Sequence, residues 1–243
     1  MKRLAFLFAL LITAVVLAGA CGTQPGGTQQ EVGKMRHESK SVDPQNAQSA
    51  RVKLQMGAGE MNLTGGADQL MEGDFSYNVA EWKPTESYDV SGDEGDLLVK
   101  QGGANGGNLT GKARNEWEIR LNDELPTDLV VQMGAGESDL DLDSLALTGL
   151  KLQMGAGKTM VDLTGDYAKS FDASIQGGVG EATVELPSEV GVKAKAQGGL
   201  GKINAEGLER VGDSYVNDAY GESDVTLDVV VQGGVGEINL EVV

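Results

Sequence analysis

Few side chains in this 243-residue chain are equipped for chemistry, and their positions keep them apart. The only histidine is His37 and the only cysteine is Cys21. A Ser-His-Asp or Cys-His device needs an imidazole beside its nucleophile in a folded body. His37 sits in GTQPGGTQQEVGKMRHESKSVDPQNAQS, which has no apolar period and reads as a linker; a solvated histidine is expected there. A single cysteine excludes an intramolecular disulfide and a cysteine-rich zinc site.

Carboxylates are plentiful. Asp plus Glu number 37 against 19 Lys plus Arg, for a formal net charge of −18. That balance opposes binding to a phosphate backbone, so no nucleic-acid partner is expected. In ESDLDLDS, Glu137, Asp139, Asp141 and Asp143 alternate and would share one solvent face. With Asp162 and Glu185 they would form an acidic stripe. Such a stripe could bind calcium through oxygen ligands, or supply the carboxylate pair of a carbohydrate-active enzyme. The plainer reading is a solvated face that keeps the protein soluble. No catalytic, cofactor-binding or metal residue is expected.

Glycine, at 36 residues, is roughly twice as frequent as usual. GAGEMN and GGVGEA suggest a phosphate loop, but that device places glycines between a strand and a helix N-terminus. Here an alternating strand pattern follows each time. The glycines instead mark a repeat. KLQMGAGEMNL starts at Lys53, VVQMGAGESDLDL at Val130, KLQMGAGKTMVDL at Lys151, SIQGGVGEATVEL at Ser174, KAQGGLGKINAEG at Lys195 and VVQGGVGEINLEV at Val230. VKQGGANGGNLTG is a degenerate copy that contributes Gln101.

Each unit reads as two short strands around a glycine corner. Leu150, Leu152 and Met154 alternate before the corner, and the alternation resumes at Met160. A unit of about 22 residues cannot bury its apolar face alone, whereas units stacked about 4.8 Å apart can. The fold class expected is therefore all-β: a single-domain parallel β-solenoid with an aromatic-rich N-terminal cap. Hairpins of an antiparallel sandwich are the alternative within the class. In the solenoid Gln55, Gln132, Gln153, Gln176, Gln197 and Gln232 would form an amide ladder. Glu137, Lys158, Glu181, Lys202 and Glu237 would alternate in sign from layer to layer, each pair worth roughly a few tenths of a kcal/mol.

Residues 66–124 break the period and hold Phe75, Tyr77, Trp82, Tyr88 and Trp117, the expected cap over the first coils. Residues 207–222 are an insertion before the last unit. The final strand, 238–243, is expected to be an open edge able to pair with another copy or a partner strand.

The N-terminus reads as an address. Met1–Lys2–Arg3 is basic, Leu4 to Leu17 is apolar apart from Thr13, and small residues follow. LAGAC resembles a bacterial lipobox, which would make Cys21 the lipidated N-terminus of the mature chain; a plain secretory signal is the alternative. Cleavage would remove Lys2 and Arg3 and no acid, taking the charge from −18 to −20. The divisions are then 1–20 signal peptide, 21–49 flexible tether, 50–128 cap and first coils, and 129–243 repeat solenoid.

The LAGAC start, NEWEIRLNDELPTDL, the repeated QMGAGE, QGGVGE and QGGLGKINAEG resemble bacterial toast-rack lipoproteins. Their relatives include extracytoplasmic domains of cell-wall-active-antibiotic response proteins and adhesin modules. The resemblance spans about 52–243. It implies a stacked parallel-strand domain facing away from the cytoplasm, without known enzymatic activity and with no catalytic residue to carry over. Relatives that regulate envelope-stress signalling carry several membrane helices, which this sequence does not show. The expected role is therefore that of a non-enzymatic, membrane-anchored envelope lipoprotein, adhesin-like or stress-related. Its expected partners are the membrane, through the lipid, and an envelope protein or a second copy. Glycan binding or carbohydrate-active chemistry through surface carboxylates is the alternative.

Overall fold

The structure, a computed structural model, describes residues 32–103 and 112–243. The expected signal peptide, Cys21 and residues 22–31 lie outside the described residues. Among the described residues no helix is long and apolar enough to cross a membrane.

Six long strands carry the repeat: β2 (Ser49–Thr64), β7 (Thr127–Asp141), β8 (Leu147–Asp162), β9 (Phe171–Leu186), β10 (Gly191–Glu206) and β13 (Thr226–Val242). Each bends at its glycine corner into two arms. Alternation buries Val52, Leu54 and Met56 before the corner of β2, and Met61 and Leu63 after it. The six strands stack in parallel and in register, Gln on Gln and Gly on Gly. Buried residues of the connecting segments, such as Leu142, Leu145, Leu163 and Tyr167, close the core between the arms. The chain is thus an all-β parallel solenoid, not a set of hairpins.

The N-terminal end is finished by antiparallel strands. β5 (Glu94–Gln101) pairs in parallel with the first arm of β2, and β6 (Asn115–Leu121) with its second arm, so together they act as one split coil. β4 (Pro84–Ser91) covers β5, while β3 (Met71–Val79) covers β6. Phe75 and Trp117 meet edge to face, with ring centres 5.2 Å apart. This is the aromatic cap, and it contains a coil within it.

Two readings from the sequence change here. Residues 22–49 are not wholly a tether, because β1 (Val32–Val42) pairs antiparallel with β3. The Tyr77 hydroxyl donates to Glu38 Oε1 at 2.7 Å and Lys83 Nζ donates to the same oxygen at 2.9 Å. The Tyr88 hydroxyl holds the Pro44 carbonyl at 2.8 Å. β1 is an outermost strand with a mostly exposed, polar sequence, so it shows no apolar alternation. The folded body therefore already includes 32–42, ahead of the expected boundary at 50.

The order of the last coils also differs from the chain order. β13 lies between β9 and β10. Its core residues are Leu227, Val229, Val231, Ile238 and Leu240, whereas β10 has Val192, Ala194, Ala196, Ile203 and Ala205 at the matching positions, smaller at four of the five. A strand flanked on both sides buries more apolar surface per residue, so the larger side chains gain more from the inner slot. A hairpin of β11 (Glu209–Val211) and β12 (Ser214–Val216) covers the outer side of the first arm of β10. The C-terminal segment 238–243 is consequently not the edge; the second arm of β10 is.

Candidate interaction surface

The corner is the feature that every coil shares. The second glycine of each pair, including Gly59, Gly136, Gly157, Gly180, Gly236 and Gly201, has φ between +134° and +148°. Side chains rarely tolerate that region. Space forbids them as well: a Cβ on Gly136 would strike the Gly59 carbonyl oxygen, and one on Gly157 the Gly136 carbonyl oxygen. The residue between the two glycines points outward. Ala58, Ala135, Ala156, Val179, Val235 and Leu200 form an apolar ridge that grows in size toward β10.

The glutamine column runs beside the corner. Nε2 of Gln55 donates to Gln132 at 2.6 Å, Gln132 to Gln153 at 2.7 Å, and Gln153 to Gln176 at 3.2 Å. Gln232 and Gln197 continue the register without such bonds among the described residues. Gln101 is not a rung. Lys100 occupies the position beside Gln55, and Gln101 turns inward, 2% exposed. Its Oε1 accepts from the Gly57 amide at 2.8 Å, the Ala58 amide at 3.3 Å and Asn115 Nδ2 at 3.0 Å. In this way it ends the glycine stack, satisfying backbone donors that a further coil would otherwise meet. A groove of about 590 Å³ follows the column, lined by its four glutamines, by Met56, Met133 and Met154, by Lys100 and by glycine backbone, with no carboxylate.

The charges sort into separate columns. After the corner the order is Glu60, Glu137, Lys158, Glu181, Glu237, Lys202. Inserting β13 sets Glu181 beside Glu237, so the expected alternation of sign breaks at that step. No ion pair within 4 Å joins these residues among the described ones. Asp139 neighbours Asn62 and Met160 and leaves the expected stripe. The acids that do stack are Asp141, Asp162, Glu185, Glu241 and Glu206. Partial burial, then Asp162 and Glu241, holds the Glu185 carboxyl above its ordinary range. Partial burial and Asp141 do the same to Asp143. Tyr167 is pushed up by burial and by Asp162, and its hydroxyl donates to the Leu142 carbonyl at 3.0 Å. Among the described residues no three His, Cys, Asp or Glu side chains are placed to hold a metal ion.

His37 lies on β1, its Nδ1 2.8 Å from the Ser76 hydroxyl, and among the described residues it faces no carboxylate pair or nucleophile of the repeat. Arg51 went unnoticed in the sequence. It reaches Asp128 at 3.1 Å and Glu94 at 3.3 Å, clasping the strands on either side of β2. Only the register reveals that position. The outward ridge had a visible signal, since it is the variable residue of each Gly-x-Gly.

A bent-strand parallel stack with glycine on glycine at every corner defines the class: a β-solenoid with two differently finished ends. The chain belongs to the toast-rack family, for the model of the N-terminal domain of toast_rack, DUF2154, matches residues 31–185. The crystal structure of a candidate cell adhesion protein from Clostridium sporogenes is 40% identical, with a TM-score of 0.85 over 86% of this chain and 100% of that one. A candidate adhesin from Bacteroides fragilis covers 88% of this chain and 100% of its own, at 12% identity and a TM-score of 0.32. No curated protein matches the chain.

Proposed function

We propose that this chain is a lipid-anchored scaffold of the bacterial envelope, facing away from the cytoplasm, with a non-enzymatic, adhesin-like role. One observation carries the reading: the rod is polar. The described chain enters at β1, on the capped end, and the uncovered arm of β10 lies at the other end. A lipid on Cys21 would hold the capped end toward the membrane and present the far end to a partner. The 40% identity to a candidate cell adhesion protein supports the same reading. An envelope-stress role would use the same exposed end with a different partner.

The test is made in cells. Wild type is expected to take up an alkyne fatty acid, and Cys21→Ser is not. Externally added protease, with any outer membrane opened, is expected to digest the protein while cytoplasmic markers survive. Cells displaying it are expected to adhere better than cells lacking it. An unlabelled, protected chain would overturn the anchored scaffold, and unchanged adhesion would overturn the adhesin-like role.

One observation favours a second reading, the binding of an envelope glycan: the amide-lined groove along the glutamine column. A glycan array reads it directly. The acid column does not line that groove, so a paired-carboxylate enzyme gains no support from it. A reducing-sugar assay on any glycan bound would detect such an activity.

A further inference from the structure

The outer strands at the capped end are guarded. β1 carries Lys34, Arg36, His37, Glu38 and Lys40, and β4 begins at Pro84 and carries Glu86 and Asp89. Charge and proline are the usual means of keeping an edge strand from pairing. The other end is guarded less: the second arm of β10 carries no proline and only two charges of opposite sign, Lys202 and Glu206. The β11–β12 hairpin reaches only Lys193 and Ala194 of β10. Among the described residues no strand pairs with the outer side of 197–206. Ile203 there is 36% exposed, whereas its register partner Ile238, one layer further in, is 4% exposed. Leu200, the largest residue of the outward ridge, is 72% exposed. The core of the second arm therefore stops with its last layer uncovered.

We propose that this arm joins two copies of the chain, pairing antiparallel about a two-fold axis at Asn204. The inference rests on the scaffold reading and names its partner. Charge selects both the occupant and the register. With the axis at Asn204, Lys202 of each copy faces Glu206 of the other, so the same opposite-charge pair forms twice. Moving the axis to Ile203 sets Lys202 against Asn204 and Glu206 against Leu200, and both pairs are lost. Alternation puts Lys202, Asn204 and Glu206 on the outer face and Ile203 and Ala205 on the core face. Ile203 of one copy then covers the layer beside Ala205 of the other, and the core continues across the axis. A two-fold contact also closes on itself, so it makes a dimer and no filament. β1 lies eight strand spacings from β10, roughly 38 Å at about 4.8 Å each, so the copies join tip to tip with their anchored ends apart.

The experiment uses the full chain in detergent micelles, with mass measured by analytical ultracentrifugation and folding checked by thermal melts. Wild type is expected to be a concentration-dependent dimer. Lys202→Glu and Glu206→Lys, each folded, weaken it by about tenfold or more, because each opposes like charges twice. An equimolar mixture of the two single variants dimerises again, since each now complements the other, and so does the double variant. The mixture separates a lost contact from a damaged fold. A monomeric wild type, which leaves the arm to a strand of another protein, overturns the proposal. Single variants that dimerise normally, a mixture that stays monomeric, or open-ended polymers from a head-to-tail contact do so as well. Fatty-acid labelling and protease exposure of the same variants keep this result separate from the scaffold reading. If they persist while the wild type proves monomeric, only the dimer falls.

Discussion

Gln101 places its side-chain oxygen 2.8 Å from the amide of Gly57, ending the stack of glycine corners from within the core. Asn115 completes the plug: its Nδ2 donates to the Ala58 carbonyl at 2.9 Å, and its Oδ1 accepts from Trp117 Nε1 at 3.0 Å. Replacing Gln101 with Leu leaves buried Asn115 and the Gly57 amide at its edge each short of a partner. A loss of about 2–3 kcal/mol is expected, read as a lower denaturant midpoint. Gln197→Leu, at the uncovered coil, is expected to change stability by less than about 0.5 kcal/mol.

The corner makes a sharper contrast. Gly157→Ala combines a positive φ with a collision against the Gly136 carbonyl oxygen. A loss of more than about 3 kcal/mol is expected, seen as a large fall in Tm or in folded yield. Gly66 also has a positive φ, +85°, but nothing lies within 4 Å of its Cβ position. Gly66→Ala should cost only about 1–2 kcal/mol, the conformational part alone. Equal effects at the two sites would mean that layer-to-layer contact at the corner is not the constraint.

The core is underfilled at β9. Met56, Met133 and Met154 fill the inner corner in three coils, but β9 has Gly177 there and Ala182 across from it. A pocket of about 40 Å³ results, bordered by Met154, Ile175, Ala182 and Ile238. Ala182→Val adds two methyl groups to it. A gain of about 1 kcal/mol is expected, or roughly 2–4 °C in Tm for a protein of this size.

The acid column makes stability depend on pH. The Glu185 carboxyl is raised in the folded state, chiefly by burial and then by Asp162 and Glu241. A raised acid is bound to its proton more tightly folded than unfolded. Its effect is therefore most favourable below the ordinary carboxylate range and is lost as pH rises through its folded value. Glu185→Gln should raise Tm at pH 7 and make no difference in strong acid. Added salt should shrink the gain at pH 7. Glu38 is shifted the other way, lowered by the Tyr77 hydroxyl and then by Lys83, so its contribution is present at neutral pH and lost in acid. The difference between variant and wild type at each pH isolates Glu185 from Glu38.

The repeat was legible because it is local. Gln-x-Gly-x-Gly flanked by alternating apolar residues specifies an arm, a bend and a second arm whatever lies above or below it. The stacked register and the glutamine rungs from Gln55 to Gln176 follow from that local rule, and the aromatic cap was legible as the stretch that breaks it. β1 was not legible, because an outer strand whose residues are mostly polar and exposed carries no apolar period. Lys100 and Gln101 differ by one place along the chain: the alternation of Leu97 and Val99 puts Gln101 inward, although the repeat's pattern reads it as a rung.

The sequence by itself thus determined the unit: its bend, its inward and outward residues, and the fact that copies must stack to bury them. Tertiary structure alone decided the order of the layers. The corner does not distinguish β10 from β13 as the last coil, since both have the same one. The choice comes from the whole stack, where the larger core side chains of β13 gain more with a neighbour on each side and the alanines of β10 lose least at the end. That placement sets Glu181 against Glu237 and leaves Ile203, Lys202 and Glu206 at the tip.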